Sequence, residues 1–272
     1  MNEGAAMRLT VLGSSASFTG ANDAGSGYLL EQGGTHLLLD CGSGVLARLL
    51  AECALDELSA ILITHFHPDH YLDLIPMRYG LSYGLEEIAP PRLLLPPGGR
   101  AFLAELGAAL RDAPEMFNDA FRIEEYDPDD CLQIGDFSIR FQRTTHNVPT
   151  WAVAVVGAGR FVYSADTQES DELEAFARDA GLFLCEATYP HVDDLPSRNH
   201  LTGLQAGLLA QRAGVRSLVL THFWPGISRG QLQAEARQVF EGPVTLARPG
   251  LTFDINAAIA IEPGAGALVG ND

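Results

Sequence analysis

A chain of 272 residues with 47% apolar and 19% charged side chains can bury a substantial core. Its formal net charge of −18, with no lysine and no Lys/Arg run, argues against bulk nucleic acid and anionic membranes as partners. Cys41, Cys53, Cys131 and Cys185 form no C-x-x-C pair, the N-terminus lacks a signal-peptide pattern, and no stretch reaches the ~18 apolar residues of a membrane span, so a reduced, cytoplasmic protein is expected.

Met7 to Leu12 reads as a first strand that ends in the turn Gly13-Ser14-Ser15-Ala16-Ser17. Tyr28–Leu30 and His36–Leu39 flank Gly33-Gly34, a hairpin signal. Val45, Leu46, Leu49, Leu50 and Cys53 are expected on one helical face. Residues 60–64 form a short apolar run that suits a buried strand. Leu93–Leu95 is a further strand, Phe102 to Leu110 a helix, and 112–130 an acidic, irregular stretch. Phe137–Arg143 alternates as a strand, and 151–156 pairs with 161–163 across Gly157-Ala158-Gly159. Ser170 caps a helix stopped by Gly181, and Leu182–Leu184 is a strand. Thr202-Gly203-Leu204-Gln205 and Ser228-Arg229-Gly230-Gln231 fit capping boxes on either side of the strand Leu218–Thr221. Val244–Leu246 and Leu251–Ile255 are expected to close the sheet. No linker or repeat divides the chain, so residues 1–272 read as one domain, frayed at 1–6 and 264–272. Each half begins with strands and then gains helices, the pattern of two packed sheets with helices outside.

The chemistry concentrates in His65-Phe66-His67-Pro68-Asp69-His70, which follows the strand at 60–64. His65 and His67, two apart in a tight loop, can converge on one ion, while Asp69 and His70 open a helix and can face a second. One cluster cannot complete two sites. His146, Asp166 and His222 each follow a predicted strand and are the candidate partners. Any one of them alone reads as a hydrogen-bonded strand end or a turn; together they point to metal binding. Asp40 is either a support that orients a histidine and holds the loop, or a simple turn aspartate before Gly42. His36 reads as structural, and His191 as surface or the rim of the pocket. Tyr79, Tyr83 and Phe117 are candidates for a pocket lining or for core, and Trp224-Pro225 for a wall of the site.

The ordered pattern H-x-H-x-D-H, His, Asp, His resembles the metallo-β-lactamase fold superfamily over nearly the whole chain. The resemblance implies a four-layer αββα sandwich of two mixed sheets with outer helices. It implies two divalent ions, with Zn²⁺ first and Mn²⁺ or Fe²⁺ as alternatives. His65, His67 and His146 would hold one ion, Asp69, His70 and His222 the other, and Asp166 would bridge them. Leu12-Gly13-Ser14-Ser15-Ala16, His146-Asn147-Val148-Pro149, Ser164-Ala165-Asp166-Thr167 and Asn199-His200-Leu201-Thr202 resemble the ribonuclease Z and phosphodiesterase-like branch, as does Cys185-Glu186-Ala187-Thr188-Tyr189. In that branch the counterpart of His200 lies near the leaving group. Only 20 positions separate His146 from Asp166, too few for the branch's tRNA-binding arm.

The expectation is therefore a dinuclear hydrolase in which a hydroxide shared by the ions attacks a small phosphodiester, including cyclic nucleotides. Asp69 and His200 are the expected catalytic residues, His200 to protonate the leaving oxygen or bind an oxyanion, with an ordinary capping contact beside a helix start as its alternative. An ester, lactone or thioester hydrolase on the same centre is the alternative, with tRNA 3′ processing and a non-catalytic metal-binding module further behind. The resemblance also admits a homodimer.

Overall fold

The computed structural model describes residues 6–84, 89–110, 115–191 and 199–256. The ends expected to fray lie outside these residues, Ala6 excepted.

The first half contributes β1 (Met7–Gly13), β2 (Gly27–Gln32), β3 (Thr35–Leu39), α1 (Val45–Leu49), β4 (Ala60–Leu62), α2 (Pro68–Tyr71), α3 (Leu74–Tyr83), β5 (Arg92–Leu95), α4 (Gly99–Ala109) and β6 (Arg122–Glu125). The second contributes β7 (Leu132–Ile134), β8 (Phe137–Arg143), β9 (Trp151–Val156), β10 (Arg160–Tyr163), α5 (Asp171–Ala177), β11 (Leu182–Glu186), α6 (Gly203–Ala213), β12 (Leu218–Thr221), α7 (Arg229–Arg237) and β13 (Val244–Leu246), before β14 (Thr252–Ile255).

Two seven-stranded mixed sheets result, in the orders β14-β1-β2-β3-β4-β5-β6 and β13-β12-β11-β10-β9-β8-β7. Each half runs first antiparallel, through β1–β3 and β7–β10, where short turns suffice. Each then runs parallel, through β3–β6 and β10–β13, where every return needs a crossover. Helices fill those crossovers. The runs Leu37–Leu39, Ile61–Ile63 and Leu93–Leu95 are apolar throughout because both faces of their strands are buried. Between the sheets lie Leu9, Val11, Leu37, Leu39, Phe137, Ile139, Val153 and Phe161. On the outer face of the first sheet, Leu38, Ile61 and Leu93 meet Val45, Leu49, Met77 and Leu103 of the helices. This is the expected αββα sandwich. No described helix is long and apolar enough to cross a membrane.

Several local expectations change. Helix α1 ends at Leu49, and its buried face is Val45, Leu49 and Cys53. Leu50 is 54% exposed, since it stands about 100° around the wheel from Leu49. Strand β14 does not follow β13 at the edge of the second sheet; it crosses to pair antiparallel with β1. Within the stretch read as irregular, β6 forms an edge strand, and Arg92 grips its Glu124 with two hydrogen bonds of 2.9 and 2.7 Å. Helix α3 is not among the expected elements; its Pro76 sits in the first turn, where its missing N–H costs nothing. Ser170 and Thr202 cap as expected, but the box at Ser228 is half-made: Ser228 accepts from Gln231 N–H while the Gln231 amide turns to Glu235. Phe117 is core, whereas Tyr79 and Tyr83 are exposed, stacked beside the Arg78 guanidinium and away from the site.

Three loops at one rim are zipped together. Ser26 N–H donates to the Asp69 carbonyl (2.8 Å), Gly42 N–H to the Ser26 carbonyl (3.0 Å) and Cys41 N–H to the His70 carbonyl (2.7 Å). A Cβ on Gly42 would stand 1.9 Å from the Asp69 carbonyl oxygen, so only glycine lets the strands of this zipper close. Gly42→Ala is expected to lower stability by about 1–3 kcal/mol through this overlap, read as a lower urea midpoint at unchanged m-value.

Candidate metal centre and active site

The rim in question is the carboxyl end of the parallel strands, the usual place for a site in an α/β sheet. Chain segments leaving β3, β4, β10, β11 and β12 deliver Asp40, His65–His70, Asp166, Glu186 and His222 there, and the loop after β8 delivers His146. Asp40, Ala165 and His222 have left-handed backbone, with φ of 58°, 49° and 56°. Such conformations cost non-glycine residues energy and persist where surrounding structure fixes them. Pro68 at the first position of α2, with His67 as N-cap, turns the chain so that His65 and His67 face one point and Asp69 and His70 another.

His65 Nε2 and His146 Nε2 each lie 3.2 Å from His67 Nδ1. Asp166 Oδ2 stands 3.5 Å from His65 Nε2 and 3.7 Å from His146 Nε2. On the other side, His222 Nε2 lies 3.4 Å from His70 Nε2 and 3.2 Å from Asp69 Oδ2. Asp166 Oδ1 is 3.3 Å from both His70 Nε2 and His222 Nε2. The structure thus brings all seven expected ligands together, in two sets, with one oxygen of Asp166 toward each.

The outer nitrogens explain why the inner ones are bare. His146 Nδ1 donates to the Asn199 carbonyl (2.9 Å) and His70 Nδ1 to Asp40 Oδ2 (2.8 Å), acceptors that leave Nε2 without a proton in the neutral ring. Thr188 gives its hydroxyl proton to Glu186 Oε2 (2.8 Å) and can accept from His222 Nδ1 (2.9 Å). Thr64 Oγ1, bonded to Asp40 (3.0 Å), stands the same way to His65 Nδ1 (3.1 Å). Lone pairs then converge on two points, and Asp166 Oδ1 is buried without a hydrogen-bond donor. Convergent bare nitrogens and an orphaned carboxylate oxygen are what a cation resolves, and this N/O donor set suits Zn²⁺, Mn²⁺ or Fe²⁺.

The electrostatics agree. Burial pushes His65 down to about 3 and lowers His67 and His146, so these rings stay neutral and able to ligate. His70 is the exception: burial opposes its charge, but Asp166, Asp40 and Asp69 outweigh it and hold its pKa well above the usual value, so its Nε2 carries a proton that a bound ion would displace. Burial works against ionised Asp69 too, and His70 and His222 overcome it, leaving its carboxyl below the ordinary range.

Asp40 is fully buried and both orients and holds. Besides His70 it accepts from Thr64 N–H (2.8 Å) and from the Tyr163 hydroxyl (3.1 Å), and Tyr163 packs on Tyr28. Ser17 N–H donates to Asp69 Oδ2 (2.5 Å), fixing that carboxylate from the opening loop. His200 stands over the centre, its ring 5.1 Å from His146 and 5.2 Å from His222. Its Nδ1 is gripped by Glu186 at 3.0 and 3.2 Å, which turns the ring's other edge into the cleft. Burial would lower the His200 pKa, but the Glu186 carboxylate raises it to about 9. Glu186 also lies near Asp166 and His222, yet Thr167 N–H (2.6 Å), Leu201 N–H (3.2 Å), Thr188 and His200 occupy its oxygens, so it acts as a bracket rather than a ligand. Glu186 carries no individual role in the sequence, where it stands only within a segment resembling the branch; its signal is a carboxylate closing the apolar run Leu182–Cys185. His36 pairs with Glu31 in the hairpin, and His191 is exposed with its backbone N–H on Glu235; neither is among the residues lining the cleft.

A cleft of about 510 Å³ opens above the donors, lined in part by His67, Asp69, Asp166, Tyr189, His200 and Trp224. The family model described as Anti-Pycsar protein Apyc1 matches residues 7–193. The chain belongs to the Anti-Pycsar protein Apyc1 family. A relative of this family member in Bacillus subtilis, the probable metallo-hydrolase YhfI, is 33% identical over 249 residues, covering 91% of the chain and 100% of the relative. The crystal structure of that metallo-β-lactamase fold protein matches with a TM-score of 0.83 at 30% identity, over 91% of this chain and 99% of the other. A ribonuclease Z from Brevibacillus brevis is 29% identical over 289 residues, covering 84% and 90%. A diphosphatase from the PhnP family shares the fold, with a TM-score of 0.70 at 16% identity over 93% and 100%. The Apyc1-family chain thus has the metallo-β-lactamase fold, stands in the ribonuclease Z-like branch, and is a metal-dependent hydrolase.

Proposed function

We propose that the protein is a dinuclear phosphodiesterase acting on small phosphodiesters, cyclic nucleotides among them. The observation that carries this reading is Asp166, whose two oxygens face two separate donor sets beneath His200, a ring held at Nδ1 by Glu186. Divalent ions held there, Zn²⁺ first, supply Lewis acidity and an activated water at neutral pH. His65, His67, His146 and Asp166 would hold one ion, and Asp69, His70, His222 and Asp166 the other. His200, anchored by Glu186, is positioned to give a proton to the departing oxygen.

The substrate class follows from charge. Among the described residues, no Arg or Lys lines the cleft, and the whole chain is strongly acidic. An RNA duplex needs many cationic contacts; a single internal phosphodiester carries one charge, which the ions themselves meet. The ribonuclease Z relative is an enzyme of phosphodiester bonds, in line with this reading.

The test is a panel of bis-p-nitrophenyl phosphate, nucleoside 3′,5′-cyclic phosphates and lactones with Mn²⁺ or Zn²⁺. Turnover of phosphodiesters is expected. Turnover of lactones or thioesters alone would replace this reading with an acyl hydrolase on the same centre. Metal analysis of the purified protein should give about two ions per chain, and His67→Ala should bring it to about one or below. A count unchanged by His67→Ala would remove the dinuclear assignment.

A further inference from the structure

The cleft has an aromatic side that hydrolysis itself does not use. Three rings follow one another outward from His200. Tyr189 stands edge-on to His200, with centroids 6.0 Å apart. Trp224 lies 5.8 Å from Tyr189 with the planes 33° apart, and Phe18 meets Trp224 at 5.6 Å, nearly perpendicular. Tyr189 and Trp224 are half-buried, and Phe18 is 52% exposed at the outer end.

This strip is held in place rather than left loose. Ala16 N–H donates to the Phe223 carbonyl (2.9 Å) and Phe223 N–H to the Ser14 carbonyl (2.8 Å), lacing the Phe18 loop to the segment that bears Trp224. Arg229 clamps the same loop through Asp23 (2.6 Å), and Ser17 N–H pins it to Asp69. A rigid loop that keeps a phenyl ring in water beside a reaction centre presents a preformed surface. No Arg or Lys is among the described residues lining the cleft, and His200 faces the phosphate, so what that surface recognises beyond the phosphate is planar and uncharged. A nucleobase has this chemistry, since every base offers a π-face for stacking whatever its hydrogen-bonding edge.

We propose that Tyr189, Trp224 and Phe18 form the wall on which the base of a nucleotide substrate stacks, with Trp224 as its platform. The assignment rests on the phosphodiesterase reading of the same site and narrows it to nucleotides carrying one base near the scissile phosphate. Because stacking ignores base identity, purine and pyrimidine nucleotides are both accepted.

The chain has two tryptophans, and the other, Trp151, is buried in the core, so quenching of tryptophan fluorescence reports on Trp224. Titrating the metal-loaded protein with adenosine or cytidine 5′-monophosphate should quench it, and ribose 5-phosphate should not. Phe18→Ala, at an exposed position, should weaken that binding, and Trp224→Leu should abolish the quench. In turnover, Trp224→Leu should lower the preference for a nucleoside 3′,5′-cyclic phosphate over the matching methyl riboside cyclic phosphate by about 10-fold or more. Equal quenching by ribose 5-phosphate, or an unchanged preference in the variant, overturns the wall. Quenching by nucleotides with no hydrolysis of any phosphodiester keeps the wall and overturns the phosphodiesterase reading.

Discussion

Alanine at His200 is expected to lower kcat by about 10²–10⁴-fold on a nucleoside 3′,5′-cyclic phosphate, and far less on bis-p-nitrophenyl phosphate. The difference lies in the leaving group. A ribose alkoxide is strongly basic and departs only as it gains a proton, whereas p-nitrophenolate leaves as an anion. Glu186 holds the His200 ring by Nδ1 and keeps it protonated, so the remaining N–H is the donor at the cleft. Glu186→Gln should show the same leaving-group dependence at smaller size, because the amide can still orient the ring but no longer stabilises its charge. Steady-state kinetics on both substrates, at saturating metal, gives the comparison. An equal loss on both would mean that His200 supports the metal centre instead of the leaving oxygen.

Much of this site was legible because its chemistry depends on residue types that rarely sit together by chance. His65-Phe66-His67-Pro68-Asp69-His70 stands out locally, and His146, Asp166 and His222 each follow a strand whose apolar run marks its end. What sequence could not supply was the partner of each group. Glu186 closes a buried strand and becomes meaningful only when β11 and the segment at His200 lie side by side. Ser17 acts through its backbone N–H, for which no side-chain pattern exists. The same split runs through the fold. Strands buried on both faces were visible as unbroken apolar runs, but edge strand β6, Arg-Ile-Glu-Glu, is defined by its pairing with β5. The placement of β14 beside β1 is a contact between the two ends of the chain, which local periodicity cannot encode.

Two buried carboxylates at the centre should respond to substitution differently. Asp40 has its oxygens filled by Thr64, His70 and Tyr163, all donors of the protein itself. Removing it strands those groups in the interior, so Asp40→Ala should destabilise even the metal-free protein, by about 3–5 kcal/mol. Asp166 is equally buried, but Oδ1 has no hydrogen-bond donor and Oδ2 only approaches the histidines. Burial opposes its charge, yet His222, His70 and His65 together hold its carboxyl well below the usual carboxylate range. Asp166→Asn keeps the shape but takes away that attraction, so the metal-free variant should lose stability, by less than Asp40→Ala because no buried donor is left stranded. Its metal content should fall from about two ions per chain to one or fewer. Urea unfolding with and without chelator, beside metal analysis of each variant, separates the two roles. Metal should raise the midpoint of the parent and leave that of Asp166→Asn nearly unmoved, because only binding to the folded state stabilises it. A metal-free Asp166→Asn protein as unstable as Asp40→Ala would instead make Asp166 part of the scaffold, held by its histidines without any ion.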